Sequence, residues 1–228
     1  MIGIIGAMVP EMELLTGALQ KARERSAAGM TFRTGTLEGQ DVVLLQCGIG
    51  KVNAAVGTAL LIEFFHPKAI LNTGSAGGLL TSQTFGDTVV STSVVHHDVD
   101  VTAFGYAPGQ VPGLPAAFPA DPQLVSLADE CLAGVPHTMG QIGSGDVFVH
   151  DPALVARIRA AFPDLCAVEM EAAAVAQACY LTQTPFVIAR ALSDIAGRES
   201  PMKFDDFLPL ASKNSSRLVL DMLKHLSS

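Results

Sequence analysis

Short apolar runs separated by longer amphipathic segments recur from one end of this 228-residue chain to the other, and that rhythm restricts the fold more than any other feature. Strands and helices in steady alternation bury their apolar faces by packing helices over a parallel or mixed sheet. Ile2–Ile5 reads as a first strand. Pro10 sits where a first-turn proline belongs, and Glu11 to about Arg25 is expected to be helical. Phe32–Leu37 and Val42–Cys47 are expected to form a hairpin turning at Glu38-Gly39. The segment opened by Gly48 and Gly50 has helical character as far as Phe65, and Ala69–Asn72 and Asp87–Val95 follow as strands. Helices are expected near Asp121–Leu132, Pro152–Ala161, Ala172–Tyr180 and Phe204–His225, with strands near Gln141–Gly143, Cys166–Val168 and Pro185–Ala189. Residues 105–119 are too rich in Pro and Gly for regular structure, and a loop that long in a compact domain is often functional. The expectation is one α/β domain over residues 1–228, a mixed, twisted central sheet flanked by helices.

Composition narrows the function classes. Fourteen Lys+Arg against 22 Asp+Glu give a formal charge of −8, and only 6% of residues are aromatic, which argues against a nucleic-acid partner. Hydrophobic residues make up 49% and charged residues 16%, a balance that excludes a disordered chain and suggests surface covered by a second subunit. Cys47, Cys131, Cys166 and Cys179 include no CxxC pair and read as small buried hydrophobes. The opening MIGIIGAM has no basic flank and does not read as a secretory leader, and no run reaches the ~20 apolar residues of a membrane span. A cytoplasmic protein without a membrane partner is expected.

In α/β folds ligands sit beyond the carboxyl ends of the strands. After Asn72 the chain reads TGSAGG, where Ser75, Ala76 and Gly77 form either a tight turn or a loop that lets backbone approach a ligand. GIGK at 48–51 lacks phosphate-loop spacing, and neither glycine cluster is GxGxxG. After Val168 comes EMEA: Glu169, Met170, Glu171. These carboxylates are either a surface pair at a helix start or, given their apolar flanks, buried and partnered; a buried carboxylate suits paired ribose hydroxyls. After Ala189 the chain reads RALSD, with Arg190, Ser193 and Asp194. Asp194 either caps a turn or is a proton donor whose pKa is raised by apolar surroundings. Glu11 by itself is compatible with an ordinary first-turn helix acid. HHDVD at 96–100 looks metal-like, but adjacent histidines on a strand point to opposite faces, so no metal site is expected.

Taken in order, MIGIIGAM with Glu11, GIGKVNAA, NTGSAGG, DVTAFGY, SGDVF, AVEMEAAAVA and RALSD resemble the bacterial 5′-methylthioadenosine/S-adenosylhomocysteine nucleosidases of the purine nucleoside phosphorylase superfamily, over almost the whole chain. The resemblance implies a nucleoside phosphorylase-like α/β domain, usually a homodimer, that hydrolyses the adenine N9–ribose C1′ bond in methionine salvage without metal or cofactor. By the same resemblance Glu11 is the water-activating base and Asp194 the acid serving purine N7, followed by Ser193 in the binding set. Ser75 and Arg190 help hold the water and the base beside it. Met170 and Glu171 form the ribose-binding pair. Phe148 stacks on adenine, the Val149 backbone reads its edge, and Ala76 and Gly77 lie against base or sugar. Met8, Ile49 and Phe204 form the apolar wall around the 5′-thio group, and Phe104 and Pro112 come from the partner subunit. Departures are Val9-Pro10, where relatives often carry acids, and the AGRESPMK stretch before Phe204. Three rivals remain: a nucleoside phosphorylase, which would gather basic side chains around phosphate; a futalosine-type nucleosidase; and a non-catalytic nucleoside-binding protein, which would lack one of the three acids.

Overall fold

Ile2 to Gly6 form a strand, β1, in which every residue is buried, as a strand covered on both faces must be. A computed structural model of the chain describes residues 1–197 and 204–226, with backbone alone at 204–206. After β1 come α1 (Val9–Ala18), β2 (Gln20–Ala27), β3 (Met30–Leu37), β4 (Gln40–Gln46), α2 (Lys51–Phe65), β5 (Ile70–Gly78) and β6 (Thr88–His96). Then follow β7 (Phe118–Pro119), α3 (Pro122–Cys131), β8 (His137–Ser144), α4 (Pro152–Ala161), β9 (Leu165–Glu169), α5 (Ala172–Thr182), β10 (Phe186–Ile195) and α6 (Phe204–Leu226). This is the expected α/β fold with a mixed sheet. Of the segment 105–119, only the short β7 is a strand.

Three expectations need correction. The first helix stops at Ala18, and Gln20–Ala27, expected to continue it, is an edge strand antiparallel to β3. QKARERSA carries no apolar face for the sheet side to reveal, so its periodicity misled; its charges suit an edge that must not pair with other chains. The glycine run after Asn72 is not a loop, because β5 continues through Gly78. RALSD is likewise the second half of β10. Both segments are held as strands because they have ladder partners on each side, a long-range property that local composition does not carry.

The sheet runs β10-β6-β8-β9-β5-β1-β4-β3-β2, and β10 also pairs with β5, so five strands close into a circuit. Closure brings strand ends together. β5 and β9 are antiparallel and overlap only at their carboxyl ends, Gly77 opposite Val168 and Gly78 opposite Ala167. On the other side of β5, parallel β10 places Asp194 opposite Gly77. A bulge between Leu192 and Asp194 adds one residue to β10 there, a device that re-aims side chains next to sites.

Ile4, Ile5, Leu44, Leu45, Ile70, Leu71 and Ile188 are buried in the central core. Three of the four free cysteines, Cys47, Cys166 and Cys179, are buried as expected, and Cys131 is half-buried. Among the described residues no helix is long and apolar enough to cross a membrane. The parallel ladder β5–β1–β4 leaves β1 little room: a Cβ on Gly3 would lie 2.5 Å from Ile70 Cδ1 and 2.8 Å from Leu61 Cδ2. Gly3→Ala should therefore cost about 1–3 kcal/mol of stability by overpacking. Urea unfolding checks this, and an unchanged midpoint would show that α2 and β5 yield freely.

Candidate active site

Glu11 enters from the third position of α1 and folds back toward the chain that leads out of β1. Its Oε2 accepts hydrogen bonds from the Ala7 and Met8 N–H groups, each at 2.9 Å. Its Oε1 accepts from the Ser75 N–H at 2.8 Å and the Ser75 hydroxyl at 2.9 Å. Four donors orient the carboxylate, which is only 1% exposed. Gly74 passes so close that a Cβ there would lie 2.7 Å from Glu11 Oε1, and it would also strike the Arg190 guanidinium. Its φ of +151° adds strain for any L side chain.

Both EMEA carboxylates are buried, so the partnered reading is the correct one. Glu169 ends β9 and caps α5: its Oε2 accepts from the Glu171 and Ala172 N–H groups, each at 2.8 Å. The Ser144 hydroxyl donates to its other oxygen, and Arg190 Nη2 lies 2.6 Å from Oε2. Glu171 is thereby turned away from its neighbour toward α2, where its Oε1 accepts from the Gly50 N–H at 2.9 Å. Arg190 also donates to Asn72 Oδ1 at 2.9 Å and approaches Glu171 Oε2 at 3.4 Å. Burial and then the neighbouring Glu169 carboxylate push the Glu171 carboxyl up to about 7, against the opposing Arg190 charge and the Gly50 N–H.

Asp194 stands at the β10 bulge, where the Ser193 hydroxyl donates to its Oδ1 at 3.0 Å. Burial pushes its carboxyl above the ordinary range, opposed by that hydroxyl. Gly77 makes room for it, since a Cβ there would lie 3.0 Å from Asp194 Oδ2.

These groups share one cavity of about 590 Å³. Glu11, Glu171 and Asp194 line it with Ser75, Ala76, Gly77 and Ser193 toward the sheet, and with Met8, Ile49, Phe148, Val149 and Met170 on the apolar side. Arg190 does not line the cavity: it is 1% exposed and stands behind the carboxylates, touching them rather than the open space. Phe104, 81% exposed, and Pro112, also exposed, are not part of the lining of their own chain. The Phe204 side chain and residues 198–203 of the AGRESPMK stretch lie outside the described residues.

The HHDVD residues disperse. His96 Nε2 is bonded to Gln177 Oε1 at 2.9 Å, His97 packs on Gly145, and Asp100 accepts from Thr102. Among the described residues no three His, Cys, Asp or Glu side chains are grouped to hold a metal ion.

Residues 1–224 match the Phosphorylase superfamily. The 5′-methylthioadenosine/S-adenosylhomocysteine nucleosidase of Geobacillus thermodenitrificans is 55% identical over 228 residues, covering 99% of this chain and 97% of the relative. The Bacillus subtilis enzyme of the same name is 51% identical, covering 99% of each. The chain belongs to this nucleosidase family. A Colwellia psychrerythraea member, crystallised in complex with adenine, superposes with a TM-score of 0.96 at 50% identity, covering 99% of this chain and 95% of that one. A Neisseria meningitidis member in complex with methylthio-immucillin-A gives 0.96 at 47% identity, covering 98% of each.

Sequence reasoning about this nucleosidase missed how much depends on Glu169, Asn72 and Ser144. Only the apolar flanks of EMEA hinted that Glu169 is buried and partnered; Asn72 and Ser144 carry no local signal. The raised Glu171 pKa links the site to stability. A carboxyl whose folded pKa lies above its unfolded value stabilises fully below about 4.5, and that contribution is lost as pH rises through about 7. A move of this size corresponds to about 3 kcal/mol. Glu171→Gln removes the ionisation, so its melting temperature relative to the unaltered chain should rise by roughly 5–10 °C between pH 5 and pH 8.5. A difference that stays flat across that range would show that Glu171 ionises in the folded protein as it does in the unfolded one.

Proposed function

We infer that this chain hydrolyses the N9–C1′ bond of 5′-methylthioadenosine and S-adenosylhomocysteine, releasing adenine and the 5-substituted ribose. The observation that carries the reading is the convergence of Glu11, Glu171 and Asp194, from three separate elements, on one cavity with no Lys or Arg among its described lining residues. Cleavage leaves an oxocarbenium-like sugar, so the reaction needs a proton at the departing base, a base for water and an anchor for the ribose. Asp194, kept protonated more readily by burial, is assigned the proton for purine N7. Glu11, held by Ser75 and the Ala7–Met8 amides, is assigned the proton of the attacking water. Glu171 takes the ribose hydroxyls beside Met170. Arg190 acts from behind by orienting Glu169 and Glu171. Phe148 and Val149 face the adenine, Ala76 and Gly77 the base or sugar, and Met8 and Ile49 the 5′ substituent, a wall to which the family resemblance also assigns Phe204. No step is assigned to a metal or cofactor.

The absence of basic lining side chains among the described residues favours water over phosphate as the nucleophile. Adenine release from 5′-methylthioadenosine, S-adenosylhomocysteine, 5′-deoxyadenosine, futalosine, adenosine and inosine, with and without phosphate, tests the reading. Free 5-substituted ribose and no dependence on phosphate are expected; phosphate dependence points to a phosphorylase, and futalosine as the preferred substrate to a different 5′ pocket. Asp194→Asn should keep the fold yet lower adenine release by at least ~10²-fold, because an amide donates a hydrogen bond but transfers no proton. A 4-nitrophenyl riboside bearing the 5′-thioether should lose much less. Equal losses on both substrates would remove the acid role from Asp194.

The reading extends to a cytoplasmic homodimer. Three buried free cysteines fit a reducing compartment. A groove of about 480 Å³ between α2 and α5, edged by Val52 (73% exposed) and Leu181 (62% exposed), offers an apolar face for a second copy. Phe104 and Pro112 would then close the neighbour's 5′ pocket. Sedimentation should show a dimer at micromolar concentration, and Phe104→Ala should raise the KM for 5′-methylthioadenosine about tenfold, the effect of one lost ring contact. A fully active monomer would overturn this arrangement.

A further inference from the structure

Three segments meet beside the cavity: His97–Asp98 after β6, Gly145–Asp146 after β8, and Gly50–Lys51 at the start of α2. Their polar groups form a closed ring. Lys51 Nζ donates to Asp98 Oδ1 at 2.5 Å, the Asp146 N–H donates to Asp98 Oδ2 at 3.0 Å, and the Lys51 N–H donates to Asp146 Oδ1 at 2.8 Å. The Lys51 and Asp98 side chains are 17% and 28% exposed, so the ion pair is partly shielded from solvent screening. Burial pushes the Asp98 carboxyl up, but the hydrogen bonds from Lys51 and Asp146 together with the Lys51 charge outweigh it and hold the carboxyl below its ordinary range.

The ring borders the site on two sides. Gly50, just before Lys51, donates its N–H to Glu171 at 2.9 Å, so consecutive amides at the start of α2 are divided between the ring and Glu171. Just after Asp146 come Val147, Phe148 and Val149, which line the cavity, as Ile49 does across from them. The fit is close, since a Cβ on Gly50 would lie 3.2 Å from Asp146 Oδ1. We propose that Asp98 is a positioning residue which, through Lys51 and Asp146, sets the spacing between the Ile49–Gly50 segment and the Val147–Val149 segment. Asp98 thereby aligns the Glu171 anchor with the base-facing wall. The inference rests on the nucleosidase reading and gives the HHDVD motif a function other than metal binding.

Asp98→Asn preserves shape but has one oxygen where the ring needs two acceptors, so its NH₂ must face either the Lys51 ammonium or the Asp146 N–H, donor against donor. Lys51→Met opens the same ring from the other side. Both full-length variants are assayed for KM and kcat with 5′-methylthioadenosine, for free-adenine affinity by calorimetry, and for melting temperature. For either variant KM should rise at least roughly tenfold, and adenine affinity should weaken in parallel, with kcat within about threefold: the pattern of lost binding alignment. The double variant should be within about twofold of the worse single one, because one break already opens the ring. KM and adenine affinity within twofold of the unaltered chain would overturn the proposal. So would a fall in kcat and melting temperature at unchanged KM, the mark of a merely structural role. Should Asp98→Asn not fold, Lys51→Met decides by the same criteria. An unaltered chain that releases no adenine would overturn the nucleosidase reading and this inference with it. Normal turnover beside unaffected variants would overturn this inference alone.

Discussion

Arg190 brings a guanidinium that cannot give up its proton into the closed end of the sheet, where it is 1% exposed. A charge so placed is tolerable only when paired and hydrogen-bonded, and its neighbours meet that demand at Nη2, with Glu169 at 2.6 Å, Asn72 at 2.9 Å and, farther off, Glu171 at 3.4 Å, while the buried Nε–H has no partner among the described residues. Glu169 cannot move to follow another partner, because its oxygens also cap α5 and accept from Ser144. The direction in which α5 begins, and with it the direction of Glu171, therefore depends on this ion pair. A buried pair of this kind is poor evidence of stability, since well-packed apolar residues often do as well. Its value here is geometric.

The closed circuit of five strands explains why carboxylates from distant positions meet. In an open sheet the ends of β9 and β10 would lie on separate strands some distance apart. Here β5 is flanked by both, antiparallel on one side and parallel on the other, and each contributes an acidic residue at the level of Gly77 or beside it. The β10 bulge adds the single residue that lets Ser193 and Asp194 follow Leu192 out of strict alternation. Strong burial then acts on Asp194 and Glu171 in the same direction, raising both pKa values, while Ser75 and the Ala7–Met8 amides hold Glu11 by donors alone.

Much of this was readable in the sequence, and the failures share a cause. Proline at the start of α1, the Glu38-Gly39 hairpin and the amphipathic α6 follow from local rules. The glycine run of β5 and the RALSD half of β10 look like loops locally because glycine, serine and aspartate are poor strand formers; only their pairing with each other, across more than a hundred residues, makes them strands. Nothing in β2 reports a strand period, because seven of its eight residues are exposed on the sheet edge. The site residues were found through motifs, yet the motifs do not distinguish a side chain that lines the cavity from one that stands behind it. Arg190 is of the second kind, standing behind the carboxylates.

The bare backbone of β5 has a consequence for how this protein tolerates change. Gly74, Gly77 and Gly78 each face a group supplied from elsewhere: Glu11 and Arg190 at the first, Asp194 at the second, Gln83 and Leu192 at the third. The smallest possible addition at any of them pushes directly on a charged, carboxyl or packed side chain. In a saturation library these positions, which bear no functional group, would register with the same intolerance as the side chains they face. A reader of such a map alone would mistake empty space for chemistry.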